Sequence, residues 1–110
     1  MLIYVSCPYS AKTQQEKEAN VNRAIQAGIK IMQKGHTPII PTLMHYLDIA
    51  AQKQGIHFAY DVFMKACIEI LDGCDAMLYM DSSNGCDIEL EYAKKEAIDI
   101  FYNLEEIDEK

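Results

Sequence analysis

Ala76-Met77-Leu78-Tyr79-Met80 runs directly into Asp81-Ser82-Ser83-Asn84-Gly85-Cys86-Asp87-Ile88-Glu89. An apolar run of this length, bounded by turn residues, reads as a strand buried on both faces, as parallel strands are. The Ser/Asn/Gly stretch turns the chain, and a helical pattern follows to about residue 97, with Cys86, Leu90, Ala93 and Ala97 as its buried stripe. A strand that turns into a helix leaves free backbone N–H groups around a small hollow, which suits an anion such as a phosphate. Glu89 lies one turn further on and looks back at the hollow. An anion cradle with a carboxylate beside it fits glycosyl chemistry on a nucleotide.

Working outward, the same alternation recurs. Leu2-Ile3-Tyr4-Val5 reads as a short buried strand, broken by Ser6-Cys7-Pro8-Tyr9-Ser10. A long helix follows, with Val21, Ala24, Ile25, Gly28, Ile31 and Met32 at helical spacing and Gly35 suited to end it. His36-Thr37-Pro38-Ile39-Ile40 is a second strand, and Pro38 favours an edge position because it removes a ladder donor. Residues 42–54 read as a helix. Tyr60, Phe63, Met64, Cys67, Ile68 and Leu71 form the clearest amphipathic stripe, closed by Gly73. The third strand spans 75–80 and the fourth 98–102. The expected layout is one α/β domain over 1–103 with an acidic C-terminal tail, 104–110, that frays.

Strands alternating with helices imply a parallel sheet covered on both faces. Four strands with right-handed crossovers give a small doubly wound sheet, flavodoxin- or Rossmann-like, in the order 2-1-3-4. In that order a crevice opens at the C-terminal ends of strands one and three. The loops there are residues 6–10 and 81–85, both rich in hydroxyls.

At 110 residues the chain suffices for one core. Half of the residues are hydrophobic, which excludes a disordered chain. The net charge of −7 excludes a nucleic acid polymer as partner, because no basic stripe replaces counterions. The four cysteines, Cys7, Cys67, Cys74 and Cys86, include no C-x-x-C pair, and no histidine pair has metal-ligand spacing. The expectation is reduced thiols without a structural disulfide, no metal and no cofactor. Cys67 and Cys74 are read two turns apart on one helix, and only Cys7 and Cys86 lie on converging loops. No signal peptide is evident, and no stretch approaches the ~20 apolar residues of a membrane span. These features place the protein in the cytoplasm, away from membranes.

Several residues carry two readings. Glu89 flanks the buried stripe of its helix and reaches the crevice, or it is an N-terminal acid favouring the helix dipole. Glu91 falls on the opposite side, within reach of Lys95. Ser82, Ser83 and Asn84 are N-cap types as well as cradle residues. Tyr4 is core, or it orients Glu89. His45 follows the second strand at the C-terminal rim and lines the pocket, whereas His36 lies at the far end. Asp61, Lys65 and Glu69 form a charged outer face.

Taken together, Ile3-Tyr4-Val5-Ser6 with Pro8-Tyr9-Ser10, Asn22 and Ala24, Gly35-His36-x-Pro38, Cys74-Asp75-Ala76, and Ser83-x-Gly85-x-x-x-Glu89-x-x-x-Ala93 resemble the nucleoside 2-deoxyribosyltransferase-like superfamily. That superfamily includes nucleoside deoxyribosyltransferases and nucleoside 5′-monophosphate N-glycosidases. The resemblance implies a small cytoplasmic hydrolase or transferase acting on the N-glycosidic bond of a nucleoside or nucleotide. Glu89 would be the catalytic nucleophile, forming a glycosyl-enzyme intermediate, and Tyr4 would position it. Ser6, Tyr9, Ser10, Ser83, Asn84, Gly85 and His45 would bind the substrate or its phosphate. It further implies a homodimer or larger homo-oligomer, with the helix over 60–71 or the segment 42–54 in the contact. The chain departs from the family at Cys7, where a small Gly or Ala is common. It departs again at Cys67, where the N-glycosidases carry an aspartate. The other reading is a catalytically silent nucleotide-binding module that senses or sequesters its ligand.

Overall fold

The computed structural model describes residues 1–110. Four strands, β1 (Leu2–Ser6), β2 (Thr37–Ile39), β3 (Ala76–Tyr79) and β4 (Asp99–Phe101), form one sheet in the order β2-β1-β3-β4. Every pairing is parallel, with Tyr4 opposite Ile39 on one side and Met77 on the other. The doubly wound α/β architecture and its strand order are those expected from the sequence. Pro38 sits on the edge strand, where its missing N–H breaks no ladder.

The helices are α1 (Gln14–Gln33), α2 (Met44–Lys53), α3 (Tyr60–Asp72) and α4 (Asn84–Lys95). Residue alternation along the strands sorts them onto two faces. Ile3, Val5, Ala76 and Leu78 pack with Ala24, Ala27 and Ile31 of α1. Tyr4 and Met77 point the other way and pack with Leu71 of α3 and Ala93 of α4. On β1, therefore, Tyr4 and Ser6 share the face that α4 covers.

Some boundaries differ from expectation. Pro41–Leu43 is a 3-10 turn, in which the Leu43 N–H donates to the Ile40 carbonyl at 3.1 Å, so α2 starts at Met44. Cys74 lies beyond the end of α3 and donates to the Ile70 carbonyl. The helix α4 stops at Lys95, and Ala97 is exposed at φ 57°, outside the buried stripe. All four cysteines are free thiols.

The acidic segment 104–110 is docked rather than frayed. Ile107 is buried in the core beside Ile31. The Lys34 ammonium donates to the Leu104 and Ile107 carbonyls at 2.7 Å each, and the Lys110 N–H donates to the Lys34 carbonyl at 2.8 Å. The buried isoleucine holds the segment, and charge composition alone does not reveal it.

Candidate functional site

A cavity of about 470 Å³ opens where the loops after β1 and β3 converge, at the point where strand order reverses. Its floor is Tyr4, Val5 and Glu89. One rim is Ser83, Asn84, Gly85 and Cys86 at the start of α4, and another is Cys7, Tyr9 and Ser10. The helix α2 contributes Met44, His45 and Asp48, while α3 and the loop before it contribute Phe58, Tyr60, Phe63, Met64 and Cys67.

Glu89 is 6 % exposed and both of its carboxylate oxygens are held. The Tyr4 hydroxyl donates to Oε2, and the Ser6 hydroxyl donates to Oε1 at 2.8 Å. Positions 4 and 6 lie two apart on β1, so strand geometry aims both hydroxyls at the one carboxylate that α4 lowers onto the sheet. Burial pushes the Glu89 carboxyl above its ordinary value, and the two hydrogen bonds pull against that shift. Burial likewise pushes the Tyr4 hydroxyl far up, with the Glu89 charge acting in the same direction. Tyr4 thus stays a proton donor.

Cys67 faces the same pair. Burial raises its thiol, opposed by the nearby Tyr4 hydroxyl and assisted by the Glu89 charge. Burial also raises Cys7, to about 11, and Cys86. Three neutral thiols therefore line the cavity.

The α4 end of the site follows from its capping. The Ser83 hydroxyl accepts from the Cys86 N–H at 3.1 Å, and the Ser83 carbonyl accepts from the Asp87 N–H. The Asn84 and Gly85 N–H groups have no backbone acceptor. Ser83 is thus the helix cap while lining the cavity, and the two free amides lie beside it. A Cβ on Gly85 would come 3.2 Å from the Tyr60 hydroxyl oxygen and 3.4 Å from the Met64 sulfur, so glycine lets these two side chains approach the rim closely.

His45 is buried and spends both ring nitrogens within the protein. Nδ1 pairs with the Tyr9 hydroxyl at 2.5 Å and Nε2 with the Gln14 amide at 3.1 Å. This ties the first loop to α2. His36 sits at the opposite end, where it donates to the Asp108 carbonyl.

The structure thus gathers Tyr4, Tyr9, Ser10, His45, Ser83, Asn84, Gly85 and Glu89 around one cavity. Ser6 stands apart from the expected cradle: it lies beneath Glu89 and does not line the cavity. Glu91 points away and pairs with Lys94 at 3.7 Å rather than with Lys95. Sequence reasoning missed Asp48 and Thr42. Asp48 lies three residues from His45, one turn along the same helix face, which was the available signal. Thr42 is buried against the cavity with a hydroxyl that has no partner in the protein.

Among known families, one described as a domain of unknown function, DUF7768, matches residues 1–103. No curated protein matches. Among solved structures, the chain is similar to a 2-deoxyribosyltransferase from the psychrotolerant bacterium Bacillus psychrosaccharolyticus, described as a biocatalyst for the synthesis of antiviral and antitumoral nucleosides. The TM-score is 0.56 at 17 % identity, over 91 % of this chain and 69 % of that one. At that identity the likeness is one of fold.

Proposed function

We propose, from the premise that this chain belongs to the DUF7768 family and folds like a 2-deoxyribosyltransferase, that it cleaves or exchanges the N-glycosidic bond of a nucleoside or nucleotide. The observation that carries this reading is the buried Glu89 carboxylate on the cavity floor, oriented through both oxygens by Tyr4 and Ser6. A carboxylate fixed in this way is a nucleophile held at a defined angle, and its partial desolvation strengthens it. Attack on the anomeric carbon releases the base and leaves a glycosyl ester, as in retaining glycoside hydrolysis. Water then gives hydrolysis, and a second base gives transfer. The free Asn84 and Gly85 amides bind the 5′ oxygen or phosphate at the α4 N-terminus. Cys67, the thiol beside Tyr4, stands where N-glycosidases carry their aspartate, so it favours a second reading, a module that binds the nucleotide without turnover. We place the protein in the cytoplasm; no helix is long and apolar enough to cross a membrane.

Glu89→Gln tests the proposal, because it keeps the shape and removes the nucleophile. Base release from a mixture of nucleosides and nucleotides, followed by chromatography, should fall by about 100-fold or more while ligand affinity survives, since the lost interaction belongs to the transition state. Glu91→Gln, on the solvent side of the same helix, should leave release unchanged. If the two variants behave alike in turnover and binding, Glu89 is not the nucleophile. Ligand binding by a wild-type protein that releases no base favours the silent module.

A further inference from the structure

The cavity is charged one way. It holds two carboxylates, Glu89 and Asp48, and none of its lining residues is a lysine or an arginine. Phe58, Tyr60 and Phe63 stand around them, with Phe58 and Phe63 meeting edge to face at a centroid distance of 5.9 Å. Aromatic faces carry negative quadrupole charge, so rings and carboxylates together favour a desolvated cation. Lys17 places its ammonium over the Tyr9 ring at 5.8 Å, from outside the lining.

The second observation concerns protons. A neutral base departs readily only when an acid protonates it, and a general acid works best when its pKa lies near the working pH. This cavity lacks such a donor. The Tyr4 proton is given to Glu89. Both nitrogens of His45 are taken by Tyr9 and Gln14. Asp48 acts as an acceptor, its Oδ2 receiving the Gln52 amide at 2.9 Å. The Cys7, Cys67 and Cys86 thiols all hold their protons more tightly than a free thiol does. The Ser10 and Thr42 hydroxyls are weaker acids still, and the Tyr60 hydroxyl is engaged by the Asn84 amide, which donates to it at 3.4 Å.

From the one-sided charge and the missing acid we propose that the substrate is a nucleoside whose base carries a fixed positive charge on the ring that bears the sugar, a pyridinium or an N7-alkylated purine. This deepens the glycosyl reading above and rests on it. Such a base needs no proton to leave. A Glu89 oxygen bonds to the anomeric carbon as the carbon–nitrogen bond breaks. The bonding pair passes to the base and cancels its positive charge, so the base departs neutral. Water then adds to the anomeric carbon, the ester carbon–oxygen bond breaks, its electron pair restores the Glu89 carboxylate, and one proton goes to solvent. The Asn84 and Gly85 amides and the Thr42 hydroxyl remain for sugar oxygens, which need no negative charge to accept or donate.

The test uses matched pairs on the full chain: 7-methylguanosine against guanosine, and nicotinamide riboside against its uncharged dihydro form. The charged member of each pair should release its base about 100-fold faster or more, the span that a missing general acid leaves open. It should also raise Tm further at equal concentration. Asp48→Asn should narrow the binding preference for the charged member. Equal release from both members overturns this inference and leaves the glycosyl chemistry standing. Preferential binding of the charged member with no release from any compound overturns the glycosyl chemistry and the leaving-group step with it. Equal Tm shifts within each pair overturn the charge preference.

Discussion

Glu89 meets two opposed demands. Burial raises its carboxyl above the ordinary value of 4.5, yet a nucleophile must be ionised. The raised native value means that the folded protein binds more protons than the unfolded chain over the window from about 4.5 upward to the native pKa. This contribution to stability is complete below that window and is lost as pH rises through it. Activity runs the other way and is gained through the same window as Glu89 ionises. We therefore predict a base-release profile whose acidic limb lies above the usual carboxylate range. Glu89→Gln, unable to ionise, should lose less stability between mildly acidic and neutral pH than the parent does, as thermal melts at the two pH values would show. A limb at an unshifted carboxylate value, or identical slopes in both proteins, would refute the assignment. The Ser83–Glu89 part of the site was legible in the sequence because strand, turn and helix follow one another locally. Ser6, expected in the cradle, lies beneath Glu89 outside the cavity lining, and its signal was the two-residue spacing from Tyr4 that puts both hydroxyls on one face of β1. Asp48 carried only its one-turn spacing from His45 as a signal, and Thr42 and Phe58 carried none, because the packing of residues 41–59 against the cavity is tertiary.

Three of the helices end in the same hydrogen-bond pattern. After α1, Gly35 N–H donates to Met32 and His36 N–H to Ile31; after α2, Gly55 donates to Gln52 and Ile56 to Ala51; after α4, Ala97 donates to Lys94 and Ile98 to Ala93. This motif needs a left-handed residue at its pivot. Gly35 and Gly55 supply it at φ 86° and 78° without strain, whereas Ala97 is forced to 57°. A side chain in that region costs about 1 kcal/mol relative to glycine. Ala97 is exposed, so its methyl group contributes little packing in return. Ala97→Gly should therefore stabilise the fold by up to about 0.5 kcal/mol after the extra unfolded-state entropy of glycine is counted. Urea titration should show a higher midpoint at unchanged slope, and a lower midpoint would contradict the strain argument. The elements themselves were legible because hydrophobic period and glycine stops agree along most of the chain. Their ends were less so: the alanine pivot carries no glycine signal, and the docking of 104–110 depends on Ile107 finding the core across α1.

The whole molecule carries an unbalanced surface. Tyr46, Leu47, Ile56, Phe58, Tyr60 and Val62 are all exposed within one stretch spanning α2 and the start of α3. Large exposed apolar side chains gathered in one region mark a surface that associates. The same stretch borders the cavity, since Phe58 and Tyr60 line it. The net charge of −7 opposes association of like copies, and salt screens that repulsion while leaving apolar burial intact. We predict a homodimer or larger homo-oligomer joined through this face, with at least twice the 12.5 kDa mass of one chain by light scattering, and tighter at higher salt. Leu47→Glu together with Val62→Glu buries like charges at the contact and should yield monomer. Neither side chain lines the cavity, so a fall in ligand affinity on dissociation would show that the second copy closes the mouth beside Phe58 and Tyr60. A lone 12.5 kDa species at working concentration and at all salt levels would remove the assembly from the account and leave the apolar face without a homo-oligomeric role.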